Sequence, residues 1–313
     1  MGRSMLLLVI ALACSFLTLE IHAQDNHVYE RLVSEGVYFN DDVRLRLPEP
    51  TMADGLDREQ QLAGIEAVAR PRYSVQQLMR PSVVAPFVLE IRKIDVAGWG
   101  PARGVDVYFV AHGELELLYD EDFLQDLARE SEARSPSQLP TEVVFLEANE
   151  LSERTLRIDE KMAGREVWFH SRFSLFDRVY LRVTRHAVVT TGDESVLVAA
   201  RLDERFLGDA KYPNGWWPLA RNNLGDLTFG EAHDYASAGF YLKATELIEP
   251  EGAIFIEYHQ VFDEREEWFS GANLLRSKLP LLVQDGVRKF RSRLTRASEA
   301  LARKPQADEA AGR

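Results

Sequence analysis

The sequence predicts an α+β fold: an antiparallel, curved β-sheet packed against a long C-terminal amphipathic helix, with short helices at the N-terminus. Three stretches carry that expectation. Residues 178–203 alternate apolar and polar side chains on either side of a Thr191-Gly192-Asp193-Glu194 turn, and residues 239–248 and 253–262 read as a second pair of strands around the turn Glu249-Pro250-Glu251-Gly252. From Leu279 onward, apolar residues recur at helical spacing.

Taken in order, residues 24–80 read as a helical segment. Asp25 is placed to cap a first helix ending near Ser34. Pro48, Pro50 and Gly55 mark 46–57 as a linker. Asp57 caps a second helix with Leu62, Ile65 and Val68 on one face, and Ser74 caps a brief third. From about residue 84 the period drops to two, which opens an α+β domain spanning 81–303. Phe87, Leu89 and Ile91 share one strand face; Val105, Val107 and Phe109 share the next. A helix is expected near 120–132, capped by Asp120 or Asp122, followed by a polar loop over 131–141. In the first hairpin Val179, Leu181, Val183, Ala187 and Val189 lie on one face, with Tyr180, Arg182, Thr184 and His186 on the other. Residues 206–237, with Pro213, Gly215, Pro218 and the pair Trp216-Trp217, break the pattern and read as one long loop. The last helix is expected to start near 277–279, because Pro280 suits a first turn, and Val283, Val287, Phe290 and Leu294 line one side of it. Residues 304–313 read as a disordered tail.

Composition narrows the function. The 313 residues carry 37 Lys and Arg against 50 Asp and Glu, a net charge of −13, which argues against a nucleic-acid binder. The charge is unevenly spread: residues 271–304 hold nine basic and two acidic side chains. Arg288, Lys289, Arg291 and Arg293 therefore offer either an anionic surface a place to dock or a solvated face that offsets the acidic body. Residues 1–23 have the form of a secretory signal, with Arg3, an apolar core from Met5 to Leu19, and Ala23 at the cut. Export to a periplasm or cell envelope is expected. Cleavage after Ala23 removes Cys14, the one cysteine, and with it any disulfide or thiolate chemistry. The alternative is a lipoprotein anchored through Cys14, since Ala11-Leu12-Ala13-Cys14 resembles a lipoprotein cleavage box.

No GxSxG, P-loop, GxGxxG or EF-hand pattern occurs in the chain. The histidines have no HxxxH or HExxH spacing, so neither a metal site nor a cofactor is expected. Glu257 and His259 stand two apart on the last strand and so share a face, where they could act as an acid–base pair or simply be solvated. His112 ends a strand beside Gly113 and is a further catalytic candidate, or a loop residue bonded to backbone.

The succession of two hairpins and a long helix over residues 178–302 resembles the helix-grip fold of the START and polyketide-cyclase-like superfamily, without a specific sequence motif. That resemblance implies a space between sheet and helix that takes an apolar or amphipathic small molecule or lipid. Trp216, Trp217, Phe255, Val283, Val287 and Phe290 are then the expected ligand-binding residues. Three functions follow: an exported, non-catalytic binder; a cell-envelope assembly protein without a cavity; and a cyclase- or hydrolase-type enzyme using Glu257 and His259.

Overall fold

The computed structural model of the chain describes residues 26–40, 42–120, 123, 139, 141–152, 165–265, 268 and 274–311. The expected signal segment with Cys14 lies outside them, as do most residues of the helix and loop expected over 120–141. The architecture is α+β, with one large antiparallel, curved sheet and a long C-terminal helix.

The N-terminal layer comes first. It comprises α1 (His27–Ser34), the hairpin β1 (Val37–Asn40) and β2 (Val43–Leu45), α2 (Arg58–Ala69) and α3 (Val75–Leu78). Asn26 caps α1, its side chain accepting from the Tyr29 amide, in place of the expected Asp25. Asp57 and Ser74 cap α2 and α3 as expected, each within a reciprocal capping box. The short hairpin β1–β2 has no counterpart in the sequence reading.

The large sheet contains β3 (Val88–Val96), β4 (Gly100–His112), β5 (Glu142–Phe145), β6 (Arg165–Leu175), β7 (Val179–Thr191), β8 (Ser195–Leu202), β9 (Gly215–Arg221), β10 (Leu227–Phe229), β11 (His233–Asp234), β12 (Ala238–Glu246) and β13 (Ala253–Asp263). A short α4 (Ala148–Ser152) follows β5, and α5 (Leu274–Ala311) closes the chain. Helix α5 starts earlier than 277–279 and runs on into the polar stretch from 304. The main path through the sheet is β10-β9-β7-β8-β12-β13-β4-β3, and β5-β6 lies along the other edge of β7. Strand β7 splits one edge between two partners: residues 179–182 pair with β9, and 185–191 pair with β8. The stretch 206–237 is therefore not one long loop. It contributes three short strands, which its prolines and glycines hide from a period-two reading.

Strands β12 and β13 are buried on both faces almost throughout, because the sheet is covered on both sides. On one face α5 sets Leu279, Val283, Val287, Phe290 and Leu294 against Val105, Val107, Phe109, Ile254, Ile256 and Leu242. On the other face Val28 and Leu32 of α1, with Phe39 and Leu47, pack on Val188, Ala199, Tyr241 and Val261. Met52 and Ile65 cover Val110, Ala253 and Phe255. The N-terminal layer lies very close to the sheet at Gly239, where an added Cβ would stand 2.6 Å from Leu32 and 2.8 Å from Val37.

Candidate ligand site between sheet and C-terminal helix

The inner stripe of α5 arises from its spacing. Val283, Val287, Phe290 and Leu294 fall three or four residues apart, so all four side chains turn to the sheet and are buried. Phe290 meets Phe109 of β4 edge-to-face, with ring centroids 5.7 Å apart. Full burial of each such side chain is worth about 1.5–3 kcal/mol. The helix is thus firmly seated across β4.

One residue on this face does not belong to an apolar core. Arg185 stands between Val183 and Ala187 on the α5-facing side of β7 and is only 7% exposed. Its guanidinium lies over the ring of Phe169, 5.9 Å from the centroid. Among the described residues its hydrogen-bond partner is Ser171 Oγ at 3.4 Å, a long contact, and no carboxylate pairs with it. Burial lowers its pKa, while Tyr235 and Tyr258 act in the opposite direction. Arginine does not give up its proton in proteins, so a full positive charge sits in this interior. Close by in the sheet are Tyr258, which donates to Gln260 Oε1 at 2.7 Å, and Tyr235, which donates to the Asp263 carbonyl at 3.3 Å. A few polar groups are set here in apolar walls, one of them a cation with no carboxylate partner among the described residues, a combination that would suit an amphipathic anion. The signal was present in the chain: Arg185 interrupts the apolar face formed by Val179, Leu181, Val183, Ala187 and Val189.

The structure divides the expected ligand-binding residues between two faces. Val283, Val287, Phe290 and Trp216 belong to the α5-facing cluster. Trp216 stacks on His233 at 4.3 Å and meets Trp268 edge-on at 5.9 Å. Trp217 points to the opposite face, half-buried beside Tyr180 and Arg182. Phe255 is also on that opposite face, in the cluster with Met52 and Ile65, so it and Val287 cannot line one space. The alternation in β13 separates the two faces correctly, but nothing local tells which face α5 covers. The basic run on α5 needs a correction too. Arg288 is exposed and Lys289 pairs with Asp285, but Arg291 is buried. Its guanidinium donates to the carbonyls of Val110, Ala85 and Pro86 and lies 5.5 Å from the Phe109 ring centroid. Arg291 is therefore a strap that holds α5, not part of a docking surface.

The three catalytic candidates all lie on the face away from α5. Glu257 and His259 are each 0% exposed, beneath the segment 48–54. Glu257 accepts hydrogen bonds from the amides of Thr51 at 2.7 Å and Met52 at 3.2 Å. Lys243 donates to the Met52 carbonyl and pairs with Asp54 at 2.7 Å. Tyr241 donates to the Pro48 carbonyl at 2.9 Å. His259 Nδ1 lies 2.7 Å from Asp106 Oδ1, and its Nε2 is 3.7 Å from Glu257 Oε2. So Glu257 and His259 do come together, with Asp106 on the other side of the imidazole, and Glu257 also pins the N-terminal layer through the amides of Thr51 and Met52. His112 stands apart, cross-strand from Ala253 and four positions from Glu257's partner Tyr108, about 13 Å along the strand. Its Nε2 contacts the Met79 carbonyl at 3.0 Å, and burial lowers its pKa.

Burial opposes the charged form of His259, but the hydrogen bonds and charges of Asp106 and Glu257 outweigh it and raise the pKa above the usual value. Arg92 on β3 holds the far side of Asp106, and Tyr108 and Tyr241 flank the imidazole ring. A raised folded-state pKa gives stability that is complete below about pH 6.5 and is lost as the pH climbs through the folded value. The urea midpoint should therefore fall between about pH 6 and about pH 9, and His259→Gln should flatten that dependence. Parallel profiles for the two proteins would show that another group is responsible.

No family model matches the chain, and no curated protein matches it. Solved structures similar to it include the human StarD13 (DLC2) lipid transfer and protein localization domain, with 8% identity and a TM-score of 0.33, covering 66% of this chain and 90% of that one. CalU16 from Micromonospora echinospora has 8% identity and a TM-score of 0.23, covering 69% of this chain and 96% of that one. Overlaps of this size say nothing of activity. The description of this chain as α+β and consistent with the helix-grip fold rests on its own strand order and on the seating of α5.

Proposed function

We propose that the protein is exported and binds, without catalysis, an amphipathic molecule with an apolar body and an anionic end, held between the sheet and α5. Arg185 carries this reading: it is a buried cation on the α5-facing side with no carboxylate partner among the described residues. A protein gains nothing in stability from such a charge, since burying an ion without a partner costs several kcal/mol. It gains a strong and selective contact when a carboxylate or phosphate arrives, because guanidinium binds such groups in a two-pronged fashion. The acid–base alternative is not favoured, since Glu257 and His259 are fully buried, Glu257 is occupied by the amides of Thr51 and Met52, and His259 by Asp106. Export rests on residues 1–23 and is tested by mass spectrometry of the protein recovered from its own cell-envelope fraction, which reads the processed N-terminus and any acyl chain on Cys14.

Arg185→Met decides the binding proposal through two opposite signs. The ligand-free variant should be as stable as the parent or more stable, by about 1–4 kcal/mol. Binding of a fluorescent long-chain carboxylate should weaken at least 100-fold, while the corresponding uncharged acyl ester binds both proteins alike. A variant that is less stable and still binds the carboxylate would make Arg185 a structural residue and remove the proposal.

A further inference from the structure

The outer face of β6 and β7 carries a second group of chemistry-bearing side chains, unrelated to the ligand site. Trp168 and His186 are cross-strand partners, as are Glu166 and Val188, so Glu166 and His186 are diagonal neighbours on one face. Helix α1 begins directly above them. Its cap residue Asn26 donates to the Val188 carbonyl at 3.0 Å, which fixes where the next residue, His27, must stand. The donor atoms of His27, Glu166 and His186 all lie within 4.8 Å of one another.

We infer that His27, Glu166 and His186 form a binding site for one divalent transition-metal ion, Zn2+ by the chemistry of its donors. Two imidazoles and a carboxylate are a donor set that suits zinc and its first-row neighbours and suits magnesium or calcium poorly. Two of the three separations are close to what such an ion needs, and the third lies within 4.8 Å. Glu166 lies 3.2 Å from His186 Nε2 and 3.8 Å from His27 Nε2. Tetrahedral bonds of about 2.0–2.1 Å set donors about 3.4 Å apart. The supporting residues hold one of the ligands, His186, firmly. His186 stacks on Trp168 with centroids 4.2 Å apart and planes 8° from parallel, and Trp168 Nε1 donates to Asp203 at 2.9 Å. His27 is the adjustable one. Its 3.8 Å approach to Glu166 is too long for a hydrogen bond, and its Nδ1 is buried with no hydrogen-bond partner among the described residues. Its side chain is 30% exposed, which leaves a solvent path to the ion and room for a water as fourth ligand. Arg31 and Arg201 lie close enough to His27 to oppose a cation, so the affinity is expected to be micromolar rather than tighter.

No two of these residues stand at a metal-ligand spacing in the chain; the fold brings them together from α1, β6 and β7. The consequence of binding is mechanical: an ion there fastens α1 to the β6–β7 hairpin.

The test uses the full chain with a histidine-free affinity tag, stripped with chelator. Calorimetric titration with zinc chloride should give one ion per chain, and saturating zinc should raise the melting temperature, since the ion binds the folded form. Magnesium should do neither. His27→Ala, on a partly exposed ring, should keep the fold by circular dichroism and lose at least tenfold in zinc affinity. His186→Ala and Glu166→Gln should lose at least as much, and cobalt should give visible absorption bands in the parent that vanish in His27→Ala. No stoichiometric zinc binding by the parent, or unchanged affinity in a folded His27→Ala protein, would overturn the inference.

Discussion

Glu257→Ala is expected to cost about 3–5 kcal/mol of stability, the range for removing one partner from a buried charge pair. Three losses coincide. The amides of Thr51 and Met52 lose their acceptor, His259 loses one of the two carboxylates that stabilise its charged form, and a space opens between β13 and the segment above it. The other buried cation of this network, Lys243, keeps its own partners in Asp54 and the Met52 carbonyl, so part of the N-terminal seal survives. Glu257→Gln should be milder, because an amide oxygen still accepts from the backbone while the charge is lost. Urea unfolding measures the cost, and limited proteolysis between 46 and 57 shows where it falls. A loss below about 1 kcal/mol, typical of an exposed pair, would mean that Glu257 is not the pin described here.

Arg291→Ala is expected to be nearly as severe, about 3–5 kcal/mol, by leaving the carbonyls of Val110, Ala85 and Pro86 without their donor. The side chain spans α5, the end of β4 and the stretch before β3, so its loss loosens all three. Burial holds its pKa down to about 10, still far above neutral, so the strap stays charged at physiological pH. Arg291→Lys should rescue little, because one ammonium cannot reproduce the planar fan of guanidinium donors. Arg288→Ala, on the exposed side of the same helix, is the control and should stay within about 0.5 kcal/mol of the parent. Hydrogen exchange across 283–297 separates the two cases: rapid exchange in Arg291→Ala alone supports the strap, and equal protection in both variants refutes it.

The parts of the fold that could be read beforehand are those in which a local period reports burial. The hairpins around 192 and 250 and the helix from Leu279 have such a period, and the structure contains all three. Strands β9–β11 could not be read that way. They are short pieces near an edge, they tolerate Pro218, and β9 is defined by its pairing with four residues of β7. The assignment of faces had a different obstacle. Alternation in β13 separates Glu257 and Phe255 from Ile256 and Tyr258, but both sets are buried, so polarity cannot say which one meets α5. Arg291 was closer to legible. It lies four residues after Val287 and three before Leu294, which puts it on the buried stripe and not on the basic outer side.

The bond from the Thr51 amide to Glu257 joins residues 206 apart in the chain. At about 5–20 residues per second, the ribosome needs roughly 10–40 s to supply the acceptor after the donor has been made. Throughout that interval the apolar sides of α1 and α2 have no finished sheet to rest on. The N-terminal layer is thus made well before the strand that holds it, and during biogenesis its apolar sides wait longer for cover than those of α5, which follows β13 in the chain.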